Sequence, residues 1–258
     1  MSFEDIEYAV RDGVAEVTIA RPEKLNAVRV ATLREMREAI AAANDDGDVG
    51  VVVLTGAGER AFCSGGELTF PLDPQEDRRF MREALRLSEE MRGGGKPLIA
   101  KIRGYCIGGG NEINMQCDIS IAAASAKFGH TGPKIGSVPV WYGIQTLLTS
   151  VGEKRTREIV YLCRQYTAEQ ALQWGWINAA VPADELDATV TQWCQEILAK
   201  GPSAVRLAKL YINSLSDTQH ASVYQGVESI LMLHSTDEAA EGMSAFAEKR
   251  APDYTRFR

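Results

Sequence analysis

The chain has 258 residues, 45% of them hydrophobic and 24% charged, which suits one large globular domain, or one with a smaller appendage, around a substantial core. Its formal net charge of −7 disfavours nucleic acid as the main partner, because phosphate binding needs a basic field; a small anionic ligand needs only a local cluster of donors. No apolar run is long enough for a membrane span, the stretch from Met1 to Gly13 has acidic residues where a signal peptide has basic ones, and the five cysteines lie scattered without a CxxC pair, so the expectation is a cytoplasmic protein with reduced thiols, no zinc site and no disulfide framework.

In chain order, two alternating segments come first. Ile6 to Val10 and Val14 to Ile19 read as a hairpin joined at Asp12-Gly13. A helical pattern follows from about Ala31 to Ala43. Val51 to Leu54 is a wholly apolar strand that ends in Thr55-Gly56-Ala57-Gly58. The acidic stretch Asp73-Pro74-Gln75-Glu76-Asp77 reads as a solvated loop or a mobile lid, before a helix from about Asp77 to Met91. Strands are expected at Pro97 to Ile102 and Ile119 to Ala122. Thr167 has the pattern of a helix-capping threonine. Strand–helix alternation with apolar strands points to an α/β architecture in which helices cover a largely parallel sheet. From about Lys154 the pattern turns mostly helical. The break at Gly201-Pro202 divides a core, 1–201, from a helical region, 202–258.

Two glycine-rich turns stand out. The first is Ala61-Phe62-Cys63-Ser64-Gly65-Gly66-Glu67-Leu68, and the second is Gly104-Tyr105-Cys106-Ile107-Gly108-Gly109-Gly110-Asn111-Glu112. Consecutive glycines let the backbone approach a ligand closely. At a helix N-terminus the free N–H groups point outward and favour negative charge. Two such groups converging on one oxygen would form an oxyanion hole, where one donor is worth about 3 kcal/mol of barrier. Tight turns or close helix packing would also account for the glycines. The G-x-G-x-x-G spacing of a dinucleotide site is absent.

With these motifs the sequence resembles the crotonase, or enoyl-CoA hydratase/isomerase, superfamily over nearly its whole length. Arg21-Pro22-Glu23-Lys24-Leu25-Asn26-Ala27 is similar to the family's first CoA-binding segment. Ser64 to Leu68 is similar to its second, and the triple glycine followed by Cys117-Asp118 to its central helix. The resemblance implies a spiral of repeated ββα units with a C-terminal helical trimerisation region, in homotrimers commonly paired into hexamers. It implies an acyl-CoA thioester as substrate, with coenzyme A as part of that substrate and no tightly bound cofactor. The oxyanion donors would be the N–H groups of Gly66 and Gly109. Lys24 would approach the CoA phosphates, and Ala27 with the Gly65, Glu67 and Leu68 backbone would line the adenine and pantetheine path.

Within the superfamily, Phe128 to Ser137, Leu162 to Tyr166 and the tail Glu248 to Tyr254 are similar to 1,4-dihydroxy-2-naphthoyl-CoA synthases and to alicyclic ring-cleaving acyl-CoA hydrolases. By that likeness Lys249 would reach a CoA phosphate across a subunit boundary, or stand as an ordinary surface lysine. Hydratases of the superfamily use two glutamates. Here Glu112 fills the first matching position and Gly132 the second, which leaves one carboxylate. The equivalent glycine of the synthases admits bicarbonate, so a bound small anion near Gly132 is one expectation. Pro139 stands where the synthases carry an aspartate, which counts against that chemistry. Asn111-Glu112, Gly132-Pro133-Lys134 and Ser137-Val138-Pro139 look more like ring-enone hydrolases.

Glu112, in the first turn of a helix, is read as a general acid or base beside the thioester, its carboxyl raised by burial. The alternative is a carboxylate that complements the helix dipole. His130 and His234 are each read as a proton donor, a water holder or a structural histidine. Ser137 falls within the substrate segment. Trp141 and Tyr142 either wall the acyl pocket or pack the core. The leading expectation is addition or removal of water on an unsaturated acyl-CoA. Hydrolytic ring cleavage of a cyclic β-ketoacyl-CoA, naphthoyl-type ring closure and non-catalytic acyl-CoA binding are its rivals.

Overall fold

The computed structural model describes residues 3–67 and 70–258. The elements are β1 (Ile6–Arg11), β2 (Val14–Ile19), α1 (Val30–Asp45), β3 (Val51–Gly56), β4 (Ala61–Cys63), α2 (Pro74–Gly93), β5 (Leu98–Ile102), β6 (Tyr105–Ile107), α3 (Gly109–Asn114), β7 (Ile119–Ala123) and β8 (Lys127–Gly129), followed by α4 (Gly143–Leu162), β9 (Tyr166–Thr167), α5 (Ala168–Gln173), β10 (Ala179–Val181), α6 (Leu186–Leu198), α7 (Pro202–Asp217), α8 (His220–His234) and α9 (Asp237–Ala247).

Among the described residues the larger sheet has the order β1-β2-β3-β5-β7-β10, and a second sheet has the order β4-β6-β8-β9. The β1–β2 hairpin is antiparallel, and β2, β3, β5, β7 and β10 run parallel. Successive strands alternate between the sheets: β3 then β4, β5 then β6, β7 then β8. Each pair is one turn of a spiral, and its helix leads into the next. This is the mixed α/β fold expected from the motifs.

Every residue of β3 is buried because helices cover both of its faces. Val52 and Leu54 pack with Leu33, Met36 and Ile40 of α1, whereas Val51 and Val53 pack with Leu186, Val190 and Cys194 of α6. Thr167 caps α5, its hydroxyl accepting the Gln170 N–H while the Gln170 side chain accepts the Thr167 N–H. The helices after residue 201 pack back on the spiral. Lys209 of α7 is buried, donating to the carbonyls of Met91 and Lys96 and pairing with Asp118 at 2.7 Å. Among the described residues no helix is long and apolar enough to cross a membrane.

One expectation is corrected. The acidic stretch before α2 is not a loop or a lid. Asp73 caps the helix by accepting the Gln75 N–H, and Pro74 to Asp77 form its first turn. Proline suits that position because its missing N–H would have no helical partner. Asp77 therefore projects from a rigid helix.

Candidate active site

The first glycine turn is built by three backbone bonds. Ser64 N–H donates to Leu25 O, Val28 N–H to Gly65 O, and Glu67 N–H to Val28 O, at 2.8–3.1 Å. Asn26 braces the same region with φ of 54°. Its amide donates to the carbonyls of Ala57 and Ala61 and accepts the Arg21 N–H. Gly65 has φ of +111°, a conformation that side-chain-bearing residues rarely adopt.

The second turn enters α3, and Gly110 lets that helix lie directly on β4. A Cβ at Gly110 would stand 2.1 Å from the Cys63 carbonyl oxygen. The two turns therefore meet. A Cβ at Gly65 would lie 3.2 Å from the Gly109 nitrogen, and one at Gly109 would lie 3.4 Å from the Gly66 nitrogen. Among the described residues neither N–H has an acceptor. Two free donors side by side, one at a helix start, form a cradle for an oxygen that gains negative charge. The Phe80 ring of α2 closes one side, 3.3 Å from the Cβ direction of Gly66.

Glu112 lies in the first turn of α3 and is buried. Its Oε1 accepts the Trp141 N–H at 2.8 Å, and the Gly143 N–H is a second donor. Burial dominates these bonds and pushes its carboxyl up to about 8. Near neutral pH the group holds its proton. A Cβ at Gly143 would touch Glu112 Cγ and Oε1 at 3.0 Å, so glycine there makes room for the acid.

His130 is fully buried, and burial alone lowers its imidazole to about 3. Its Nε2 lies 2.8 Å from Asn111 Nδ2. The indole N–H of Trp176 donates to Asn111 Oδ1, which fixes the amide with its nitrogen toward the histidine. Nε2 therefore accepts, and the hydrogen sits on Nδ1, which has no partner among the described residues. This environment keeps a neutral ring that orients Asn111, one residue before Glu112.

His234 lies on a separate element, at the end of α8. Its Nδ1 lies 2.8 Å from Asp77 Oδ2 and its Nε2 3.1 Å from Ser137 Oγ. At Gly132 the direction a side chain would take is filled: a Cβ there would stand 2.9 Å from Ser137 O and 3.1 Å from Val138 Cα. A small anion standing in for a second carboxylate would have to lie outside that direction.

On the CoA-segment side, Lys24 is half-exposed and lies 3.5 Å from Glu67. Arg21 binds the other Glu67 oxygen at 2.7 Å and also donates to the Ala27 carbonyl, tying both expected segments together. The Arg21 guanidinium holds the Glu67 carboxyl below the usual range. Ala27 is buried. Leu68 lies outside the described residues. The Trp141 indole packs in the core with Nε1 on Ser88 Oγ at 2.6 Å, while its main chain serves Glu112. Tyr142 precedes α4 in a left-handed conformation, with the Arg92 guanidinium 4.9 Å from its ring centre. Lys249 is exposed.

The structure thus brings together Gly65, Gly66, Gly109, Glu112 and Trp141, with Lys24, Ala27 and Glu67 along one flank. Sequence reading missed Asn26, Phe80, Gly143 and above all Asp77. Asn26 lay inside a quoted motif. Asp77 gave no local signal, because its partner is 157 positions away.

The enoyl-CoA hydratase/isomerase family model matches residues 9–256. An enoyl-CoA hydratase from Mycobacterium avium subsp. paratuberculosis K-10 is similar in structure, with TM-score 0.90, 28% identity and coverage of 98% of this chain and 99% of that one. A carnitinyl-CoA hydratase from Mycobacterium avium gives 0.86 at 28% identity, covering 99% and 100%. An enoyl-CoA hydratase from Bacillus anthracis gives 0.79 at 30% identity, covering 97% and 99%.

Proposed function

This chain belongs to the enoyl-CoA hydratase/isomerase family, whose enzymes act on CoA thioesters, and we propose that its reaction is the addition or removal of water on an unsaturated acyl-CoA. The observation that carries this reading is the juxtaposition of two acceptor-free N–H groups, Gly66 and Gly109, with a buried carboxyl three residues further along the same short helix. The thioester oxygen sits between the two donors. As water adds to the β carbon, charge gathers on that oxygen as an enolate. Glu112, protonated near neutral pH, gives its proton to the α carbon, and the reverse transfer starts dehydration.

A second reading, hydrolytic C–C cleavage of a cyclic β-ketoacyl-CoA, uses the same oxyanion site. Gly132 favours it, because that position offers no second carboxylate. Pro139 supplies no acid for naphthoyl-type ring closure. A non-catalytic acyl-CoA binder would have no use for a buried acid beside the hole. Lys24, half-exposed beside Glu67, would bind the CoA phosphates, with Lys249 of a neighbouring subunit as a second cation. The assembly is a homotrimer or a pair of trimers. The exposed apolar side chains Leu207, Tyr211, Ile212 and Leu215 of α7 support that assembly.

A mass-spectrometric turnover screen of linear enoyl-CoAs, cyclohexenecarbonyl-CoAs and 2-oxocyclohexanecarbonyl-CoA separates the readings. Gain of one water on an enoyl-CoA, without ring opening, is the expected result. A linear dicarboxylic mono-CoA from the cyclic ketone selects the second reading. CoA binding with no turnover of any of the three contradicts both.

A further inference from the structure

Asp77, His234 and Ser137 come from three distant segments: the first turn of α2, the last residue of α8, and the loop before α4. They meet in one line. His234 Nδ1 lies 2.8 Å from Asp77 Oδ2, and His234 Nε2 lies 3.1 Å from Ser137 Oγ. The Asp77 carboxylate accepts the Nδ1 hydrogen; in the neutral ring Nε2 then offers a lone pair to the Ser137 hydroxyl. The histidine and aspartate side chains are 11% and 9% exposed, so water competes little for either bond. A carboxylate that orients an imidazole, which in turn faces a hydroxyl, is the arrangement that lets an imidazole draw a proton from that hydroxyl.

Chain neighbours tie this line to elements of the candidate active site. Phe80, one turn beyond Asp77 on α2, lies against Gly66. Ser137 starts the segment whose Trp141 and Gly143 N–H groups hold Glu112. Its carbonyl also fills the side-chain direction of Gly132. Two proton-handling groups on different elements, Glu112 on α3 and His234 on α8, are therefore tied through these neighbours, although only one is a glutamate. His130 is not equivalent, since its ring faces an amide and, among the described residues, has no carboxylate partner.

We propose that Asp77, His234 and Ser137 form a relay that activates the water added to the β carbon of the acyl-CoA, with Ser137 and His234 moving the proton and Asp77 positioning the imidazole. This rests on the hydration reading above. Water gives a proton to Ser137 Oγ as the serine's own proton passes to His234 Nε2. The oxygen's electron pair forms the new C–O bond. The π pair of the double bond moves through the α carbon onto the thioester oxygen, between Gly66 and Gly109. The enolate then collapses, and the α carbon takes the proton of Glu112. The resulting imidazolium is stabilised by Asp77, and its proton returns through Ser137 and water to the Glu112 carboxylate. Atoms and charge balance with water and the acyl-CoA alone.

The test uses the full chain and two assays. One is water addition to the enoyl-CoA that the wild type turns over. The other is deuterium exchange at the α carbon of the matching saturated acyl-CoA, run above pH 8 so that Glu112 is ionised and takes the α proton, which needs only Gly66, Gly109 and Glu112. H234N is expected to lose about 10²-fold or more in water addition, the usual scale for a general base, while α exchange stays within about threefold. D77N is expected to fall in the same direction by less. S137A removes one hydroxyl and leaves the Asp77–His234 contact intact. It is expected to lose about tenfold or more in water addition with an unchanged melting temperature. Unchanged water addition in S137A and H234N overturns the relay. So does an equal loss of both activities together with a lowered melting temperature, since that marks a structural pin between α2 and α8. A wild type that adds water but shows no α exchange contradicts the enolate reading instead, a result distinct from failure of the relay.

Discussion

Glu112 illustrates what single residues decide. Its carboxyl stands at about 8 in the folded chain against an ordinary 4.5. Below 4.5 it is protonated whether the chain is folded or not, and it adds no pH dependence. Between 4.5 and 8 the folded chain holds a proton that the unfolded chain has lost, so stability falls as pH rises through this window. E112Q removes that loss. Melting curves at pH 5 and pH 8 should show the variant gaining on the wild type by at least about 3 °C across the window. A constant difference would mean that the carboxyl is not raised. The hydration rate should also decline as pH rises through about 8, because the donating form of Glu112 disappears. G143A tests the space around the same acid. Its new methyl meets Glu112 Oε1 and Cγ at 3.0 Å, and Pro139 Cβ at the same distance. Overpacking of this kind costs about 1–3 kcal/mol, and kcat should fall more than KM rises. Glu112 was legible in sequence because it follows the triple glycine at a fixed offset. Asp77 was not, because only tertiary packing brings it to His234.

At the level of elements, the two turns work because α3 lies on β4 with no side chain between them. A Cβ at Gly110 would stand 2.1 Å from Cys63 O, a clash with backbone that no rotamer relieves. G110A should therefore separate the Gly66 and Gly109 donors. The expected result is a loss of activity of about 10²-fold together with lowered stability, read by turnover and by thermal melting. The long elements were visible in the pattern of apolar residues: the hairpin, α1, β3, α2 and β5 fall within a few residues of expectation. The strands β4, β6, β8 and β9 were not. Each has two or three residues, too few for an alternation to show, and each is held by pairing with its neighbour in the second sheet. The start of α2 was misread because acidic residues and proline suit both a loop and a first helical turn. That difference of one turn moves Asp77 from a loop to a fixed position facing His234.

For the whole molecule, the spiral leaves α7 with Leu207, Tyr211, Ile212 and Leu215 exposed at 52–79% of their surface. Spacings of four residues put Leu207, Tyr211 and Leu215 on one face. A row of this size seeks a partner surface. Sedimentation should give a trimer or hexamer, and the double variant I212D/L215D should shift it toward monomer with the fold retained. A wild type that sediments as a monomer would contradict the proposed assembly. The family was legible at this scale because both glycine turns and the Lys24 segment agree, and each depends on backbone chemistry that sequence reports directly. The particular reaction was less legible, because it turns on which side chains converge from α2, α8 and the 137–143 loop.

In the proposed reaction Gly66 and Gly109 hold a thioester enolate whose proton passes through Glu112. Deuterium uptake at the α carbon of a saturated acyl-CoA, followed by mass spectrometry for wild type and E112Q, tests it most directly. Steady exchange is expected in the wild type, with a reduction of about 10²-fold or more in E112Q and an unchanged fold. Equal exchange in the two proteins would contradict it.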